Sequence, residues 1–148
     1  MPHCATKYFG AVSYEEAAVL HFPAGLPGFE DERRFLSLQQ PEHEPLVFLQ
    51  SLTTPSLCFV ALPAKAVEPS FELEIEESDL DLLGACSPAE PGLLQLALVT
   101  IAESGITANL FAPVVVNTAN LRAIQAIAPS RRYSHVHPLA EVGEAVCS

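Results

Sequence analysis

The sequence predicts an all-β fold, a barrel or a sandwich, and three observations carry that expectation. Short apolar or alternating runs of strand length recur along the chain, Gly and Pro cut between them, and little in the pattern supports a long helix. Thirteen prolines in 148 residues point the same way, because proline lacks the N–H that a helix interior needs. Hydrophobic residues make up 49% of the chain and charged residues 17%, the balance of a folded protein. A chain of this length is expected to form one domain over residues 1–148 and to bury about 68–70% of its unfolded surface.

In chain order, the first informative stretch is HFPAGLPGFEDERRF, residues 21–35. Pro27 and Gly28 suit the two central positions of a type II turn, the second of which needs positive φ. Pro23 and Gly25 make a second tight turn just before it. Phe22, Leu26, Phe29 and Phe35 are expected in the core, and Glu30, Asp31, Glu32, Arg33 and Arg34 on the surface. RRFLSLQ, LVFLQSL and LCFVAL each have strand length and composition, with Pro45 and Pro55 breaking them apart. In SFELEIEES, Phe71, Leu73 and Ile75 alternate with Glu72, Glu74 and Glu76, which predicts a half-buried strand with one acidic face. In SDLDLLG, Ser78 is the expected cap of a single helical turn that Gly84 closes.

CSPAEPG, residues 86–92, reads as a loop. LLQLALVTIAESGITANLFAPVVVN reads as two strands joined at ESG, where Gly105 is free to take positive φ. Pro113 cannot donate to a ladder, so the second strand is expected to be broken or at an edge there. ANLRAIQAIAPS fits a helix face through Leu121, Ile124 and Ile127, and its Ile and Ala content fits a strand as well. Residues 140–148 are expected to be loosely ordered.

Composition also narrows the function. Eighteen acids against seven bases give a formal net charge of -11, which opposes binding to nucleic acid or an anionic membrane. The same charge favours a basic protein partner or serves solubility alone. Cys4, Cys58, Cys86 and Cys147 are scattered with no CxxC pair, so neither a zinc ribbon nor a thioredoxin-type site is indicated. Cys58 reads as a small buried hydrophobe. No apolar leader opens the sequence and no run approaches a membrane span, so the cytoplasm is the expected location. Phosphate loops, nucleophile elbows and HExxH helices are absent, and no cofactor is expected.

Two clusters remain. Glu68, Glu72, Glu74, Glu76, Glu77, Asp79 and Asp81 place seven acids in residues 68–81 with no base among them. A run of like charges reads as a solvated face before it reads as acid–base chemistry, and as a docking surface for a basic protein it is the best candidate in the chain. His135 and His137 share a face if they lie in a strand and suit a metal ion, yet no third ligand stands nearby. A small metal-dependent hydrolase built on that pair is the enzymatic alternative, without a recognisable nucleophile. Arg131, Arg132 and Tyr133 form a basic cluster too small for nucleic acid.

Eight stretches together resemble the flagellar assembly factor FliW family: TKYFG (6–10), FPAGLPGFE (22–30), RFLSL (34–38), FLQSL (48–52), FVALP (59–63), LVTI (98–101), TANLFAPVVVN (107–117) and RYSHVHPL (132–139). They keep the family's order and cover roughly residues 6–139, and FPAGLPGFE and TANLFAPVVVN are the specific ones. The resemblance implies an all-β, single-domain, barrel-like antiparallel sheet with short helical turns and no enzymatic activity. It implies binding to flagellin and, alternatively, to the carbon storage regulator CsrA, a small basic RNA-binding dimer that represses flagellin translation. Release of the factor as flagellin is exported would then free it to capture the regulator away from its RNA site. A chaperone for flagellin alone is the narrower alternative. The expected partner contacts are Asn109, Phe111, Pro113 and Asn117 in the signature strand, together with Glu72, Glu74, Glu76, Asp79 and Asp81 on the acidic face; for Asn109 and Asn117, hydrogen bonding within the sheet or its turns is the equal alternative. NTANLRAIQAIAPS and CSPAEPG depart from the family pattern.

Overall fold

A computed structural model describes residues 2–127, 130 and 132–139; the 140–148 tail, with Cys147, and Arg131 lie outside the described residues. The chain opens with a hairpin that the sequence pattern did not announce, β1 (His3–Thr6) and β2 (Gly10–Ser13). Its tip is tied by Thr6, whose hydroxyl accepts from the Phe9 N–H at 2.9 Å and donates to the Gly10 carbonyl at 2.8 Å. The hairpin lies on the outside of the main sheet, held by the Lys7 N–H on the Pro55 carbonyl (2.9 Å) and by Phe9 edge-on to Phe48.

The main sheet contains β3 (Leu20–His21), β4 (Arg34–Leu38), β5 (Val47–Ser51), β6 (Cys58–Pro63), β7 (Leu93–Ala102), β8 (Gly105–Asn117), β9 (Arg122–Gln125) and β10 (His137–Pro138). The three runs RRFLSLQ, LVFLQSL and LCFVAL form β4, β5 and β6, as their composition predicts. The order β8-β7-β6-β5-β4-β3-β9 closes on itself because β9 also pairs β8, giving a seven-stranded barrel with β10 added outside β8. All contacts are antiparallel except β3 on β9, where the His21 N–H reaches the Leu121 carbonyl at 2.8 Å. The ambiguous segment 119–130 thus contributes a strand, and its contact with β3 closes the barrel.

Alternation decides what fills it. Phe22, Phe35, Leu49, Leu96, Val114 and Val116 point into the barrel core. The outward faces of β6, β7 and β8 carry a second apolar layer, with Leu62, Ala97, Ala108 and Leu110 covered by α1 (Ala64–Val67), Phe71 and Leu139. A third layer, Leu93, Val115, Ile124 and Ala126, is covered by α2 (Glu77–Leu83) through Leu80 and Leu83.

The two turns in residues 21–35 form as read. Gly25 donates to Phe22 O, and Leu26 and Phe29 exchange both backbone bonds around Pro27 and Gly28, with Gly28 at φ 83. Two expectations for this stretch need correction. Phe29 is 43% exposed, lying edge-on to Phe59 rather than in the core. Glu32 is buried at 9% exposure, because the β5–β6 connection supplies it with donors. Thr54 Oγ1 donates to it at 2.6 Å and Ser51 Oγ also donates, while Ser51 Oγ accepts from the Thr53 and Thr54 N–H groups. A buried carboxylate is tolerable when hydroxyls satisfy it.

Gly25 and Gly28 separate conformational strain from steric clash. Both have φ near the left-handed region, but a Cβ at Gly25 would lie 2.5 Å from the Glu30 carbonyl oxygen, whereas one at Gly28 meets nothing within 4 Å. Gly28→Ala is expected to cost about 1 kcal/mol of unfolding free energy and Gly25→Ala clearly more; equal losses in urea melts would show that the backbone contact yields. At Glu32, alanine should cost about 1–3 kcal/mol by removing the acceptor of the buried Ser51 hydroxyl and the half-buried Thr54 hydroxyl. Glutamine, which keeps an acceptor, should cost less, and paired melts of the two variants measure the difference.

Candidate protein-binding surface

The acidic segment begins where α1 ends. Residues 71–76 are extended, and Phe71, Leu73 and Ile75 turn inward onto the outer layers of the barrel while Glu72 and Glu76 face solvent. The predicted strand is nevertheless absent: this segment joins no ladder. Alternation reports an extended backbone with two unlike faces, and here the polar groups are met by side chains instead of a neighbouring strand. The Glu72 N–H donates to the Tyr133 hydroxyl at 3.0 Å, and Ser130 Oγ donates to Glu74 at 2.7 and 2.9 Å. Arg132 Nη1 lies 3.4 Å from the Glu72 carboxylate, an exposed pair worth well under about 1 kcal/mol.

Helix α2 follows directly. It begins two residues earlier than the Ser78 cap predicts: Glu76 occupies the N-cap with no side-chain cap bond, and Ser78 is exposed inside the helix. Its end is as predicted. Gly84 adopts φ 71, its N–H reaches Asp81 O, and the Ala85 N–H reaches Leu80 O, the two bonds of a Schellman motif. Glu76, Glu77 and Asp81 are exposed, and Asp79 is half-buried. The Asp79 carboxyl is pushed above its ordinary value, first by burial and then by the neighbouring Glu76 charge. A carboxylate in the first helical turn gains from the backbone dipole, but across only seven residues burial and like charge outweigh that gain.

The signature-strand residues lie elsewhere and differ in what they offer. Pro113 is fully buried and Asn117 is 5% exposed, so neither presents a free surface; both serve the barrel. Asn117 Nδ2 donates to the Leu83 carbonyl at 2.8 Å, joined by Asn120 Nδ2 at 3.0 Å, and its Oδ1 accepts from the Ala119 N–H. The two asparagines therefore fasten the C-terminus of the acidic helix to the barrel. Asn109 and Phe111 are half-buried, and Asn109 Oδ1 accepts from the Ala112 N–H at 2.9 Å. β8 runs unbroken through Pro113, but its ladder with β7 shifts register there, with Leu96 opposite Val114 and Leu98 opposite Asn109. The missing N–H falls in that irregularity, and the interruption lies in the pairing.

His135 is exposed and His137 is half-buried in β10. Among the described residues, no group of three or more His, Cys, Asp or Glu side chains gathers to hold a metal. Cys58 is half-buried, short of the burial expected, and desolvation pushes its thiol up. A groove of about 480 Å³ between residues 71–73 and 88–91 is lined by Phe71, Leu73 and Leu93. Lys65 and Gln95 line it as well. Among the described residues, no helix is long and apolar enough to cross a membrane.

What fold and surface together define is a small closed β-barrel that carries a fixed acidic ridge on its outer face. The FliW protein family model matches residues 3–139. The chain is 34% identical to the flagellar assembly factor FliW of Caldanaerobacter subterraneus subsp. tengcongensis, over 92% of this chain and 91% of that relative. It is 31% identical to the flagellar assembly factor FliW of Bacillus subtilis, over 90% and 94%. A crystal structure of the flagellar assembly factor FliW superposes with a TM-score of 0.83 at 31% identity, covering 93% of this chain and 96% of that one. The chain belongs to the FliW family of flagellar assembly factors.

Because the Asp79 carboxyl is raised in the folded state, that state holds its proton more readily than the unfolded chain, and the ionised group subtracts from stability. Asp79→Asn is therefore expected to melt higher than the parent at pH 7. The advantage should shrink as pH falls through the raised carboxylate range and be gone below the ordinary value of 3.8. An advantage that persists at pH 3 would trace to packing instead of charge.

Proposed function

We propose that this chain is a cytoplasmic, non-enzymatic regulator of flagellum biogenesis that binds flagellin and, alternatively, the carbon storage regulator CsrA. Holding the regulator, it antagonises RNA binding and so relieves translational repression of flagellin. The observation that carries this reading is the acidic ridge over residues 68–81: seven acids and no base, fastened to the barrel by two asparagines. Family membership supplies the context. A basic dimer is the partner such a ridge steers and orients, because complementary potentials raise the encounter rate and penalise like-charged competitors. A net charge of -11 also keeps the chain itself off RNA, so its effect on translation passes through the protein it binds. Two states follow from one supply of the factor: flagellin-bound when the subunit accumulates, regulator-bound when export drains it.

Glu76, Glu77 and Asp81 are exposed, and none of them makes an ion pair among the described residues. Reversing the three to lysine leaves the Glu72 and Glu74 contacts intact. It is expected to weaken binding of the same organism's carbon storage regulator by roughly tenfold or more and to flatten its dependence on salt. Titration calorimetry at two ionic strengths measures both. Repeating the parent titration with flagellin already bound should abolish the regulator signal. Regulator binding that flagellin leaves untouched places the partners on separate sites, and no regulator binding at all leaves a flagellin chaperone.

A further inference from the structure

A pocket of about 200 Å³ opens between the turn of residues 24–30 and α2, lined by Gly25, Pro27, Leu82 and Ile124 together with the acidic residues Glu30 and Asp79. We propose that this pocket anchors one arginine or lysine side chain of a basic protein partner, with the aliphatic stem on Pro27, Leu82 and Ile124 and the cationic head between the two carboxylates. The proposal rests on the reading of the acidic ridge as a docking face and names the point where a partner is gripped.

Charge complementarity selects the occupant. The ion pairs among the described residues are Arg34 with Glu16 and Arg132 with Glu72, so among the described residues neither Glu30 nor Asp79, both of which line the pocket, is in an ion pair. Arg33 binds Glu30 only through the main-chain carbonyl, at 3.2 Å. Asp79 is partly buried and stands beside Glu76, and both raise the cost of leaving it ionised. Gln125 also lines the pocket, and its Nε2 donates to the Ala112 carbonyl at 3.0 Å, so the charged groups of the lining are the two acids. A guanidinium or ammonium group carries donors and no acceptor, the complement of that set, whereas an anion is opposed by both carboxylates.

The walls suit the stem of such a side chain. Leu82 is 39% exposed, an apolar side chain left uncovered at the rim, and long cationic side chains cover such surface while keeping the head polar. The turn that sets one wall is rigid: Gly25 sits at φ +67 with the Glu30 backbone so close that no Cβ fits between them. Little ordering is then lost on docking.

The test is an NMR titration of labelled protein with N-acetyl-arginine amide and with N-acetyl-citrulline amide, which has the same shape without the charge. Saturable shifts at the Gly25, Leu82 and Ile124 amides are expected with arginine. Affinity should fall roughly tenfold with citrulline, and likewise for arginine with a Glu30→Gln/Asp79→Asn variant. Equal responses to both probes, or unsaturable shifts spread along residues 68–81, would overturn the anchor. Calorimetry with the carbon storage regulator separates this proposal from the reading beneath it. Binding that survives Glu30→Gln/Asp79→Asn but is lost on reversal of Glu76, Glu77 and Asp81 overturns the anchor and leaves the docking face. A parent protein that saturates with arginine but never binds the regulator supports the pocket and overturns the regulator as its partner.

Discussion

β8 has to satisfy three neighbours, and the rest of the structure depends on how it does so. It pairs β7 along its length, β10 at Thr107 and Ala108, and β9 from Val114 to Asn117. Between those stretches a flat ladder cannot continue, because one edge passes from β10 to β9 and the strand must bend to close the barrel. Pro113 sits in that interval, where an N–H has no ladder partner to lose. Its neighbours' polar groups are met individually: Leu110 N–H by Ser134 O, Ala112 N–H by Asn109 Oδ1, Ala112 O by Gln125 Nε2, and Pro113 O by Ala126 N–H. Buried backbone groups left unpaired would each cost about 1–3 kcal/mol, enough in sum to open the seam.

The same strand ties the outer surface to that seam. Asn117, the last residue of β8, reaches the final carbonyl of α2, so the acidic helix is fixed to the residue where β8 and β9 pair. Leu80 and Leu83 add apolar contact against Val115 and Ile124. A surface helix of seven residues is too short to hold its own shape in water. Here tertiary contacts and the Gly84 cap supply what length does not, and the charges of residues 76–81 are presented on a defined ridge. Asp79 then stands as a local cost to stability at neutral pH.

Relatedness and surface chemistry bear on different links of the argument. Identities of 31–34% over nine-tenths of the chain, with a TM-score of 0.83, fix the family and the barrel. Residues 122–125, whose sequence reads equally as helix or strand, form β9 and close the barrel against β3 and β8. The pocket between the LPGF turn and α2 is made from both kinds of residue, Pro27 and Glu30 from the signature stretch and Asp79 and Leu82 from the acidic segment.

Much of this was written in local sequence. Strand-length apolar runs specified β4 to β8, positive-φ glycines specified the LPGF turn and the close of α2, and the acids of residues 68–81 were legible as a charged patch in the sequence itself. These features depend on a few consecutive residues, and so does the physics that produces them. Other features depended on residues far apart in the chain. Period 2 at 71–76 marked an extended backbone, but whether a strand lay beside it was set by Tyr133, Ser130 and Arg132, some 60 residues away. Glu32 looked like one more exposed acid, and only the arrival of Ser51 and Thr54 made its burial affordable. Asn117 gave no sign of fastening Leu83, nor the segment at 122–125 of closing the barrel against β3. A charge or a turn is a property of neighbours in sequence; burial, pairing and the shape of a pocket belong to neighbours in space.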